Sequence, residues 1–131
     1  TTSLLQRIDD IDSNLMSYAT VTADSALDDA RKAEEEIYSG NYKGPLHGIP
    51  LAVKDLCYTK GVPTMGGSSV HSKFIPDFDA TVISKLVQSG AVMLGKLNLT
   101  EGAMRGYHPD FMIPKNPWNP RNRVAIVENS K

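Results

Sequence analysis

Gly44-Pro45-Leu46-His47-Gly48-Ile49-Pro50-Leu51-Ala52-Val53-Lys54-Asp55 is the stretch on which the reading of this chain turns. Glycine and proline punctuate its entry, and the apolar run Ile49 to Val53 reads as a short buried strand. That strand ends on a lysine, and burial strips an ammonium of its hydration. Two readings are open. Lys54 either keeps its head in water or pairs with Asp55, as most lysines do, or it is held neutral so that it can act as a base.

Working outward, the C-terminal side supplies a partner for the strand. Asp79 is expected to cap a helix with Val82, Ile83, Leu86 and Val87 on its apolar face, and Gly90 ends it. Ala91-Val92-Met93-Leu94 follows as a short, fully apolar run. Strand 49–53, helix 80–89 and strand 91–94 make a βαβ pattern, which predicts neighbouring parallel strands covered by helices. Gly95 to Glu101 reads as leaving the second strand. Between the two strands, Pro63-Thr64-Met65-Gly66-Gly67-Ser68-Ser69 reads as a turn. It has neither the lysine of a phosphate loop nor the G-x-S-x-G spacing of a nucleophile elbow.

On the N-terminal side two helices are expected. Ser3 offers a cap to the stripe Leu4, Ile8, Ile11 and Leu15. Residues 16–21 loosen the pattern. Thr22 then caps Ala23, Ala26, Leu27, Ala30, Ala33 and Ile37, and Gly40 stops that helix. Its mostly alanine stripe predicts close packing against a neighbour. Glu34, Glu35 and Glu36 point in three directions on a helix, so a solvated face is the reading rather than a metal site. From Tyr107 onward four prolines fall near Trp118, which predicts a loop without regular structure. The tail from Arg121 has one apolar patch, Val124 to Val127.

Composition narrows the function classes. The 131 residues carry 14 basic and 15 acidic side chains, a net charge of -1, so nothing points to nucleic acid or an anionic membrane. No apolar run approaches a membrane span, and no signal-peptide pattern opens the chain. The one cysteine, Cys57, rules out an internal disulfide and fits a reducing, cytoplasmic setting. Cys57 with His47 as thiol and base has nothing to orient it. His47, His71 and His108 lack metal-ligand spacing, and no cofactor is called for. Asn98-Leu99-Thr100 matches a glycosylation sequon, a short and weak pattern.

Taken in order, these pieces resemble the amidase signature family. Gly44 to Pro50 with Val53-Lys54-Asp55 is similar to its lysine motif, and Pro63-Thr64 with Gly67-Ser68 to its Thr-x-x-Gly-Ser segment. Asp79-Ala80, Gly90-Ala91, Gly95-Lys96-Leu97-Asn98 and Asn116-Pro117-Trp118 resemble later landmarks. The likeness runs from residue 3 to residue 120. It implies an α/β fold, with N-terminal helices (1–40), a βαβ portion of a mixed sheet flanked by helices (44–106) and a proline-rich loop with a divergent tail (107–131), all as part of one domain. It also implies a Ser–cis-Ser–Lys hydrolase of amides, esters or carbamates, with Lys54 as the lysine.

The resemblance breaks where the family has Gly-Gly-Ser-Ser. Here Arg121-Asn122-Arg123-Val124-Ala125-Ile126-Val127 follows, so both serines are expected beyond this chain, which is then inactive alone. The implied role for Lys54 is to accept a proton relayed from the nucleophile and return it to the leaving amine. A free lysine is neutral in only about one copy in 2,500 at pH 7, and lowering its pKa to about 7.5 takes roughly 4 kcal/mol. Burial at a strand end is the expected source. Met65, Met104, Tyr107 and Phe111 are candidates to line an apolar pocket. The expected partner is a small amide, ester or carbamate, with self-association open. The alternative is a non-catalytic homologue that uses an uncovered sheet edge as an interaction surface.

Overall fold

The computed structural model describes residues 1–104 and 106–123. Helix α1 (Thr2–Leu15) leads through strand β1 (Tyr18–Val21) to helix α2 (Ala23–Tyr38). Strand β2 (Pro50–Lys54), helix α3 (Thr81–Gln88) and strand β3 (Val92–Leu97) follow, and a hairpin of β4 (Lys115–Asn116) and β5 (Asn119–Arg123) comes last. The sheet order is β1-β3-β2, with β2 parallel and β1 antiparallel to the central β3. The expected α/β fold with its parallel pair is therefore present, and the helix between the parallel strands is α3.

The core lies between α2 and β3. Ala26, Val92 and Leu94 are buried together, with Leu5, Ile8, Tyr18 and Ala30 packed around them. Alanines on α2 leave no side-chain bulk to hold the helix off the strand, so the two backbones come close. Thr22 is the N-cap of α2, but its hydroxyl donates to Met93 O across the sheet at 3.0 Å and not to the helix.

Four expectations are corrected. Helix α1 is capped by Thr1, not Ser3: the Leu4 and Leu5 amides both reach Thr1 O at 3.0 Å. Residues 18–21 form a strand where the sequence showed only a loosened helical pattern. Asp12 sets the change of direction, because its carboxylate accepts the Ser17 and Tyr18 amides just after the left-handed Met16. Ala80 is the N-cap of α3, and the Asp79 carboxylate instead accepts the Lys60 amide. The 107–131 segment holds a short hairpin despite its prolines; Pro120 sits in β5, which pairs with the two-residue β4 alone. The patch Val124 to Val127 lies outside the described residues.

Strand β3 also runs farther than expected, through Gly95, Lys96 and Leu97. A register shift between Leu51 and Ala52 places Gly95 opposite Ala52. Gly95 has φ 149°, and a Cβ there would overlap the Thr20 carbonyl oxygen. The bulge therefore requires glycine, and it re-aims the next residue, Lys96, away from the apolar run.

Candidate active site

The C-terminal ends of β2 and β3 gather the polar side chains of the sheet. Lys54 closes β2 and is exposed; its Nζ donates to Asn98 O at 2.8 Å. Burial at the strand end, expected for Lys54, is found at Lys96 instead. Lys96 is wholly buried. Its Nζ donates to Cys57 O and Thr64 Oγ1, each at 2.7 Å, and lies 3.7 Å from Asp55 Oδ1. Asp55 is not the partner of Lys54 but of Lys96.

Register explains the division of labour. Val53 stands opposite Lys96, and Lys54 opposite Leu97. Side chains alternate along a strand, so the two ammonium groups leave opposite faces. On the buried side, desolvation pushes the Asp55 carboxyl above its ordinary 3.8, against the Met65 amide and the Lys96 charge. Desolvation likewise pushes Lys96 below 10.5, against the pull of Asp55 and Cys57. Burial outweighs attraction for both partners.

Asn98 fixes the other side of the Lys54 contact. Its amide donates to Ser17 O, and its side-chain Nδ2 to Met16 O and Tyr18 O. The asparagine of the sequon is thus bound into the α1–β1 junction. Neither it nor Lys96 was singled out from the sequence as a site residue. The available signal was a lysine directly after an apolar run and its glycine, because an ammonium carried into a buried strand must find partners for its hydrogens.

The remaining candidates separate. His47 is buried, receives the Lys43 amide at Nδ1, and faces Glu36 Oε2 from Nε2 at 2.9 Å. Both ring nitrogens are occupied, so His47 braces the end of α2. Glu36 is correspondingly not simply solvated: it also meets Lys43 Nζ at 2.6 Å. Among the described residues no group of His, Cys, Asp and Glu could hold a metal. Ser69, His108 and Asp110 lie in a row, with Ser69 Oγ 3.1 Å from His108 Nε2. At His108 Nδ1 the hydrogen-bonded partner is the Asp110 amide, at 3.2 Å, while the Asp110 carboxylate stands off at 3.6 Å, so the row lacks the carboxylate hydrogen bond that orients the base of a nucleophilic triad. Of the proposed pocket residues, Met65 lines a cavity of about 390 Å³ with Leu56, Tyr58, Ser68, Phe74 and Glu101. Met104 is 87% exposed, and Tyr107 and Phe111 are half-buried without lining that cavity.

The fold and the strand-end lysine define an α/β scaffold with one candidate amine, and comparison with known proteins gives its family. The family described as Amidase matches residues 1–125. A putative amidase, AmiD, of Mycobacterium tuberculosis is 50% identical over 120 residues, which are 92% of this chain and 25% of that protein. A glutamyl-tRNA(Gln) amidotransferase subunit of Geobacter sulfurreducens is 46% identical over 121 residues, 91% of this chain and 25% of that protein. The solved peptide amidase of Stenotrophomonas maltophilia superposes with a TM-score of 0.72 at 39% identity, over 83% of this chain and 22% of that one. The chain belongs to the amidase signature family. It spans about a quarter of the length of the curated relatives it matches. No helix among the described residues is long and apolar enough to cross a membrane.

Proposed function

We propose that this chain is the lysine-bearing part of an amidohydrolase that cleaves C–N bonds of small amides by a Ser–cis-Ser–Lys relay, with Lys54 as its terminal base. The observation that carries the reading is the position of Lys54. It ends a strand on the face opposite the buried ion pair, and it is tethered by a single hydrogen bond among the described residues, to Asn98 O. A base must be reachable by the group it deprotonates, and an amine with one donor committed to a fixed carbonyl still has a lone pair to offer once neutral. Lys96 does not suit that role, because its donors are already directed at Cys57, Thr64 and Asp55.

Lys54 is exposed in this chain, so the desolvation that a terminal base needs is left to sequence packing over the strand ends in the intact enzyme. Cover there would desolvate the amine and bring the two serines within relay distance. The segment Arg121 to Val127 has neither a glycine nor a serine, so we propose that the 131-residue polypeptide alone does not turn over amides. In the intact enzyme, Lys54→Ala is expected to cut kcat/KM for a peptide amide or aryl amide by about 10²–10⁴-fold, the usual worth of a positioned acid–base group. Turnover within a few-fold of the parent would overturn the assignment.

A further inference from the structure

We infer that the buried pair Asp55–Lys96 positions the Lys54 amine, by fixing the two strand ends between which that amine is held. The inference rests on the proposed role of Lys54. Each member of the pair is adjacent in sequence to one side of the Lys54–Asn98 contact. Asp55 directly follows Lys54, and Lys96 precedes Leu97, the cross-strand partner of Lys54, and Asn98, its acceptor.

Asp55 is held at three points. Its amide donates to Leu97 O, its carbonyl accepts the Gly66 amide, and its Oδ2 accepts the Met65 amide at 3.1 Å. Its Oδ1 is buried with no hydrogen-bond partner among the described residues, and Lys96 Nζ is the cation facing it. The Lys96 side chain in turn gathers Cys57 and Thr64, so the pair closes the loop 55–66 onto the end of β3. The Cys57 thiol is the further titratable group near Lys96. Together these bonds clamp β2 and β3 on the face opposite Lys54, which leaves little freedom in the distance from Lys54 Nζ to Asn98 O.

Stability alone is a weak reason for such a pair. Burying two charges is often matched or bettered by apolar side chains of similar volume. Geometry is a stronger one, because misplacing a reacting group by about 1 Å costs on the order of 10²-fold in rate.

The test replaces both charges at once in the intact enzyme. Asp55→Leu with Lys96→Met removes both charges together, so neither is left unpaired, and gives up the bonds to the Met65 amide and the Cys57 carbonyl. We expect a folded protein whose kcat for an aryl amide falls about 10–100-fold while KM stays within about threefold. The pH profile of Lys54 labelling by acetic anhydride, read by peptide mass spectrometry, is expected to shift with it. A folded double variant with parental kcat and labelling profile would make the pair purely structural and overturn the inference. Should that variant not fold, Thr64→Val, which removes one acceptor of Lys96 and keeps the shape, carries the test: a several-fold loss of kcat at unchanged KM is expected, and unchanged kcat refutes the role. Lys54→Ala serves as the reference. If it retains turnover, the function proposed for Lys54 fails; if it is inactive while the double variant is fully active, only the positioning role fails.

Discussion

The two halves of β3 are held by opposite means. The side chains of Val92 and Leu94, in its first half, pack on Ala26 and Ala30 of α2 by apolar contact. Lys96, in its second half, is just as buried but is held by a hydroxyl, a carbonyl and a carboxylate. Gly95 lies between the two regimes and redirects the strand. Apolar burial is non-directional and accepts many side chains of about the right size. A buried ammonium accepts only an arrangement that meets its hydrogens. The same strand thus passes from a tolerant region to an exacting one within three residues, and the exacting end lies beside the end of β2 that carries Lys54.

This contrast is sharpest under single substitution. Lys96→Met leaves Asp55 buried without its cation, and a stranded charge of this kind costs about 3–5 kcal/mol. Chemical denaturation of the intact protein should show that loss, and a loss below about 1 kcal/mol would erase the distinction between the two halves. Leu94→Ala probes the tolerant half. About 3 kcal/mol is expected from lost transfer energy and residual cavity, part of it recoverable by enlarging Ala30 or Ala26. No enlargement elsewhere is expected to rescue Lys96→Met. The smallest effect is one of pH. The Lys43 ammonium, assisted by His47, holds the Glu36 carboxyl below its ordinary 4.5. A carboxyl with a lowered folded-state pKa adds stability in full above 4.5 and loses it as pH falls through the folded value. Glu36→Gln should therefore flatten the acid limb by lowering stability in the neutral region, with little change at the acid end where the parent carboxyl is already protonated. An unaltered acid limb would show the ion pair to be idle.

The tolerant region is also the one the sequence discloses. The alanine stripe of α2, the apolar face of α3 and the run Ala91 to Leu94 announce a helix-covered parallel pair, because period and burial are written residue by residue. Strand β1 escapes this reading. Its four residues are too few for a period, and their direction is set by Asp12 reaching over a left-handed Met16. The polar end escapes it for a different reason. Whether Lys54 or Lys96 is the buried lysine depends on a bulge at Gly95, and two lysines that each follow apolar residues look alike in one dimension. The place of Lys54 at the end of an apolar run left two readings open until its likeness to a family chose between them, and the partners of Lys96 come from loops whose closure no local pattern records.

Asn98 has one more consequence. It joins the junction of the first helix and first strand to the carbonyl on which Lys54 rests, so the opening seventeen residues are part of the scaffold of the Lys54 amine and not an outer wrapping. Shortening or re-angling that leading helix in this chain is therefore expected to move the Lys54 amine with it.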